Sequence, residues 1–260
     1  MQTAIDMNSD VGESYGAFSF GADAEIMDCL SSANVACGFH AGDPVHMERT
    51  VKLAKENGVS VGVHWGLPDV TGFGRRRMAI TPEEARCLTV YQIGALQAVA
   101  KAQGAVLDHL VPHGALYSML SEDEAIAGAM VEAILLTDPS LTLYWPTPLQ
   151  DHCFYRIASE NGIPIANEVC VDMDYRADGG LVLSRTVAKR DPEAVADRVQ
   201  RFLEEGKLET VDGADIEFDA QALLLHGDGP NAAQLARVIR NRLTSLGVAL
   251  HPAAQLVARG

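Results

Sequence analysis

Several signals that would direct a chain to a particular compartment or partner are missing from these 260 residues. No CxxC pair occurs, and the five cysteines, Cys29, Cys37, Cys87, Cys153 and Cys170, are an odd number that cannot all pair within one chain. A disulfide framework is thereby excluded, and a reducing compartment is expected. No apolar run approaches the roughly 18 residues of a membrane span. The segment Met1–Asp10 holds two aspartates, no basic residue and no signal-peptide core, so the protein is expected to be cytoplasmic. Positive charge is scarce: 20 Lys and Arg stand against 35 Asp and Glu, a formal charge of −15. Such a surface repels phosphate backbones and anionic headgroups, which argues against nucleic acid and membrane as partners. No GxxxxGK[ST] phosphate loop occurs. No Ser-, Gly- or Pro-rich linker, charge block or low-complexity tract divides the chain, so one domain over residues 1–260 is expected. A chain of this size buries roughly 70–75% of its unfolded surface, enough for a core without a disulfide or metal staple.

Short apolar segments alternate with longer stretches of helical period from end to end. Strands are expected near Ala4–Asn8, Asn34–Cys37, Ser60–His64, Val106–Val111, Leu141–Trp145, Pro164–Val169 and Ala222–His226, with a short last one at Val248–Leu250. Helices are expected at Pro44–Asn57 and from Pro82 to about Gln103, ended by Gly58 and Gly104, and at Glu193–Glu205 and Asn231–Leu246. Seven or eight β–α units predict an α/β fold, a TIM-like (β/α) barrel, with a doubly wound open sheet as the other solution.

Polar residues cluster where these strands end, and in a barrel those ends share one mouth. Asp6, Asn8 and Asp10 lie at period two, so an extended chain points all three the same way. His40 sits in a small-residue loop that opens a helix, where free N–H groups favour an anion. His64 and Trp65 begin a loop whose Gly72 and Gly74 precede Arg75, Arg76 and Arg77, a candidate anion cradle. His113 and His226 each leave a strand and are followed by glycine, which permits close approach of a ligand. His46, His109, His152 and His251 fall elsewhere and are assigned no role.

Taken together, these segments resemble the LamB/YcsF family. The likeness is carried by Asn8 and Asp10-Val11-Gly12-Glu13, the run Ala33 to Asp43, Gly72-Phe73-Gly74-Arg75-Arg76, Tyr91 to Leu96, Pro112-His113-Gly114-Ala115-Leu116-Tyr117 and His226-Gly227-Asp228. The resemblance implies a seven-stranded β/α barrel of the glycoside hydrolase/deacetylase type. It also implies ATP-dependent opening of a cyclic amide, with Mg²⁺ and with two partner subunits. Four positions depart from the family pattern: Val111 replaces a lysine, Met173 an arginine, Trp65 a proline and Ser9 a cysteine. Loss of two cations predicts a neutral lactam or cyclic imide rather than 5-oxoproline, with Trp65 stacking on a flat ring.

Amide hydrolysis needs a general base, a proton for the leaving nitrogen and a stabilised oxyanion. Asp10 or Asp172 is the candidate base, and His113 or His226 the candidate proton donor. Arg75, Arg76 and the His40 loop are candidates for the developing charge or a phosphate. Asp6, Asn8, Glu13, His64, Tyr117 and Asp228 complete the expected substrate contacts. Two other readings stand beside this one. Asp10, His40 and His64 could hold a divalent metal in an amidohydrolase or deacetylase that needs no ATP, or the chain could bind substrate without acting on it.

Overall fold

The structure is a computed structural model that describes residues 2–146, 151–182 and 188–257. Its strands are β1 (Ala4–Val11), β2 (Ser32–Ala36), β3 (Ser60–Trp65), β4 (Leu107–Pro112), β5 (Thr142–Pro146), β6 (Ile165–Cys170), the hairpin β7 (Lys207–Glu209) and β8 (Asp215–Glu217), β9 (Ala222–Leu224) and β10 (Ala249–Leu250). β1 to β6 and β9 pair in parallel, and β9 returns to β1, which closes a seven-stranded barrel. β10 adds to the start of β1, outside the ring. Each expected strand is present with ends shifted by a few residues. The hairpin was not expected from the sequence.

Helices α1 (Asp23–Ile26), α2 (Pro44–Glu56), α3 (Pro82–Ala102), α4 (Ala115–Glu122), α5 (Glu124–Thr137), α6 (Cys153–Glu160), α7 (Pro192–Glu205), α8 (Ala232–Ser245) and α9 (Ala253–Val257) accompany the barrel. Their ends follow local chemistry. Asp43 accepts the Val45 and His46 N–H groups ahead of α2, and Thr81 with Glu84 forms a reciprocal capping box at α3. Gly58 and Gly104 take φ of +68° and +65° just past these helices, a conformation that glycine adopts without steric cost. Among the described residues, no helix is long and apolar enough to cross a membrane.

Strand alternation separates two interiors. Ile5, Met7 and Val11 of β1 pack outward against the helices, as do Val61, Val63 and Trp65 of β3. Trp65 is therefore corrected as a substrate contact: it is buried in the layer outside the barrel, with its ring 6.3 Å from that of Phe154. Asp6, Asn8 and Asp10 point into the barrel, whose filling is largely polar. Asn34 donates to Asn8 Oδ1 at 2.8 Å and to Asp10 Oδ1 at 3.0 Å, and its own oxygen lies 2.8 Å from His109 Nε2. Asn8 in turn donates to Glu168 Oε2 at 2.9 Å. His109 stacks on Tyr144 with ring centroids 4.4 Å apart. Register places His109 opposite Gly62, where a Cβ would overlap the imidazole.

Asp6 closes the far end of this column. Its carboxylate accepts from Ser31, from Ser32 Oγ at 2.8 Å and from the Ala253 N–H at 2.9 Å. It is fully buried beneath the mouth, which corrects its expected role as a substrate contact. Glu168 is also buried, and desolvation pushes its carboxyl up to about 8, with Asn8 opposing and Asp10 reinforcing the shift.

This packing makes two outcomes measurable. Gly62→Ala should destabilise the protein by about 1–3 kcal/mol in urea unfolding, and a second change, His109→Ala, should recover part of the loss. Additive losses would show that the two do not share space. Glu168 binds a proton in the folded state up to about pH 8 but releases it near the ordinary glutamate value of 4.5 when unfolded. Its contribution is thus fully present below pH 4.5 and is lost as pH rises toward 8. Glu168→Gln should flatten this slope, which is on the order of 1 kcal/mol per pH unit at most.

Candidate active site

The C-terminal ends of the barrel strands enclose a cavity of about 490 Å³. Asp10, His64, His113 and Glu168 reach it from the barrel, and Cys170, Asp172 and His226 line it where β6 and β9 end. Val111, Pro112, Ala115, Tyr117, Pro146, Met173, Leu181 and Val182 make much of the rest apolar. Residues separated by more than two hundred positions therefore share one pocket.

Two titratable groups meet there. In the first, Asp172 Oδ1 lies 3.1 Å from His226 Nδ1, and Asp172 Oδ2 accepts the His226 backbone N–H at 3.0 Å. Burial would lower the imidazole pKa, but the Asp172 charge and hydrogen bond outweigh it and hold His226 protonated well above the usual range. Burial pushes the neighbouring Cys170 thiol up to about 11, so it is no thiolate nucleophile at neutral pH.

The second group is built on His64. Its Nε2 lies 2.9 Å from His113 Nδ1 and 3.4 Å from Asp10 Oδ2. Burial works to raise the Asp10 pKa, yet His64, with His226 and His113, holds that carboxyl far below the ordinary range. His40 stacks on His113 at 3.8 Å, with its Nε2 3.3 Å from Glu13 Oε1. Burial and the adjacent imidazoles keep His40 and His113 well below 6.5. Burial, then the charges of Asp10, Asp228 and Asp23, raise Glu13.

Of the residues singled out from sequence, Asp10, His64, Arg75, His113, Tyr117, Asp172 and His226 line the cavity. Asn8 sits one hydrogen-bonded step beneath it, and Glu13 and His40 sit behind His64 and His113. Asp228 meets Arg75 at 3.0 Å. Arg76 is corrected: both ends of its guanidinium grip Asp69, away from the cavity.

The glycine-rich anion cradle is corrected too. A Cβ at Gly74 would lie 2.6 Å from His40 Cβ and 2.9 Å from His113 Cδ2, so this glycine serves close packing rather than a phosphate. In the His40 loop the Gly38 N–H donates to the Ala41 carbonyl, and Asp43 accepts the Val45 and His46 N–H groups at the start of α2.

Sequence reading did not place Glu168, Cys170 or Arg190 in the site. Glu168 and Cys170 stand in the segment that carries Asp172, which was the available signal; nothing local marks Arg190. Each cation that lines the cavity among the described residues is already paired: Arg75 with Asp228, Arg77 with Glu122 at 2.8 Å, and Arg190 with both oxygens of Asp174 at 2.9 and 3.0 Å.

Known proteins match this architecture. The chain is 44% identical over 252 residues to a 5-oxoprolinase subunit of Oceanobacillus iheyensis, covering 96% of this chain and 97% of that one. It superposes on the crystal structure of the lactam utilization protein from Thermus thermophilus with a TM-score of 0.88 and 41% identity, covering 95% of this chain and 99% of that one. A family 4 carbohydrate esterase from Streptomyces lividans shares the fold alone, at 11% identity and a TM-score of 0.50 over 98% of this chain and 95% of that one. The LamB/YcsF family profile matches residues 5–258, and the chain belongs to that family.

Proposed function

We propose that this chain binds a cyclic amide in the barrel mouth and supplies the proton transfers that open its ring, as one component of a multi-subunit, ATP-using hydrolase. Support for the reaction class comes from relatives named for 5-oxoprolinase and for lactam utilization. The single observation that carries the chemistry is the Asp172–His226 pair on the cavity wall. An imidazolium held protonated there can give its proton to the ring nitrogen as the C–N bond breaks.

The base is better matched to Glu168 than to either aspartate expected from sequence. Asp172 is committed to His226, and Asp10 is engaged by Asn34 at 3.0 Å and by His64 at 3.4 Å. Glu168, at about 8, lines the cavity, and its Oε1 has no hydrogen-bond partner among the described residues. It is placed to take the proton of an attacking water. Tyr117, kept protonated by burial, is a neutral donor for the substrate carbonyl.

Val111 and Met173 both line the cavity, and the nearby guanidiniums are neutralised by acids, which favours a neutral lactam or imide over 5-oxoproline. The candidate cradle does not fit the phosphates of ATP: the space beside Gly74 is filled by His40 and His113, that beside Gly72 by Asp69 and Arg76, and Arg76 is itself held by Asp69. Nucleotide use is therefore assigned to partner subunits, and no step of this site runs through it.

Turnover of neutral lactams, cyclic imides and 5-oxoproline by the chain with its partner subunits, with and without ATP, tests the reading. Equal rates on 5-oxoproline would remove the substrate preference. His226→Ala should lower kcat about 10²-fold or more with little change in KM. The rate should rise as Glu168 deprotonates near pH 8, and loss of the His226 proton, which Asp172 delays well beyond the ordinary imidazole range, sets the alkaline fall. Asp172→Asn should move that alkaline fall to lower pH, and an unmoved limb would remove His226 from the scheme.

A further inference from the structure

The hydrogen-bond geometry around His64 leaves an imbalance of protons. His64 Nδ1 lies 3.0 Å from the Val111 carbonyl, and His113 Nε2 lies 2.8 Å from the Phe73 carbonyl. A carbonyl oxygen only accepts, so each of these nitrogens carries its ring's proton. In the neutral rings, His64 Nε2 and His113 Nδ1 then face each other as bare lone pairs 2.9 Å apart. That contact is repulsive unless a positive charge sits with it.

Carboxylates gather around the same point. Glu13 Oε1 is 3.3 Å from His40 Nε2, 3.8 Å from His113 Nδ1 and 4.0 Å from His64 Nε2, and Asp10 Oδ2 is 3.4 Å from His64 Nε2. An imidazole whose outer nitrogen is fixed by a backbone carbonyl, and whose inner nitrogen faces a shared centre, is oriented as metal-binding histidines are.

We propose that Glu13, His40, His64 and His113 form a binding site for one divalent cation of the zinc class, with Asp10 beside it. The four ligand atoms all lie within 4.8 Å of one another, and the four residues are buried. Tetrahedral zinc with bonds of roughly 2.0–2.1 Å requires ligand atoms about 3.3 Å apart, inside the observed spread. Three imidazoles and one carboxylate suit zinc or cobalt and disfavour magnesium and calcium, which take oxygen ligands.

The His40 and His113 rings are stacked 5° from parallel, so they cannot both aim at one ion as they stand. For both to bind, His40 would have to turn; its Nδ1 makes no hydrogen bond among the described residues, so that turn would break none there. His64 and His113 line the cavity, so the ion faces it. The site does not depend on the cyclic-amide reading; if that reading holds, an ion held by these residues would supply Lewis acidity to the cavity.

The test counts metal rather than turnover. The full chain, purified without a histidine tag, is analysed for metal content, stripped with chelator and titrated calorimetrically with zinc(II), cobalt(II) and magnesium(II). One zinc per chain, a tetrahedral cobalt(II) absorption band and no magnesium binding are expected. Glu13→Gln and His113→Asn, with folding checked by circular dichroism, should each weaken zinc binding tenfold or more, whereas His226→Ala should leave it intact. A stripped wild-type chain that binds no stoichiometric zinc overturns the proposal, and points instead to a proton shared between His64 and His113. So does zinc that survives both ligand changes or is lost only with His226. A chain inactive on every cyclic amide would leave the metal count unchanged, so the two readings fail separately.

Discussion

The site depends on one side-chain amide. Asn34 donates both of its N–H groups, one to Asn8 and one to Asp10, and lies within hydrogen-bond distance of His109 through its oxygen. It is fully buried in a barrel interior that would otherwise strand four polar groups. An unpaired buried donor or acceptor costs roughly 1–3 kcal/mol, so each member of this set is held by the others. The network continues through Asn8 to Glu168 on one side and through Asp10 and His64 to His113 on the other. The barrel filling thereby fixes the orientation of the groups that face the cavity.

Much of this was legible because barrel geometry turns sequence position into spatial position. Asp6, Asn8 and Asp10 at period two had to share a side, and in the structure they do. Strand exits at His64, His113 and His226 had to share an end, and they meet around one cavity. Periodicity could not show how deep each residue lies. Asp6 and Asp10 look equivalent in sequence but sit at opposite ends of β1, so only one of them reaches the mouth. Trp65 is next to His64, and the alternation that sends one side chain inward sends the other outward.

The partnering of charges was less legible. The sequence showed two family cations replaced by Val111 and Met173, which suggested that Arg75 to Arg77 remained as the anion contact. In the structure Arg76 is taken by Asp69, while Arg75, Arg77 and a third cation, Arg190, each meet an acid at the cavity. Ion pairs across loops depend on distances that no linear spacing encodes. Among the described residues, each guanidinium that lines the cavity is already met by one of the chain's 35 acids. The acidity that seemed to describe only the surface thus also sets the electrostatics of the pocket.

These pairings leave the cavity with two titratable groups in opposite states. Asp172 stabilises the charged form of His226, whereas burial and neighbouring imidazoles stabilise the neutral form of His113. Two histidines leaving barrel strands, both followed by glycine, are indistinguishable as motifs. Their partners separate them: a carboxylate on Nδ1 in one case, a backbone carbonyl and a second imidazole in the other. A protonated imidazole can donate to a leaving nitrogen but cannot bind a metal ion, and a neutral one has the complementary abilities. One pocket can therefore hold an acid and a lone-pair donor at the same pH, because its two sides differ in what they place behind the ring.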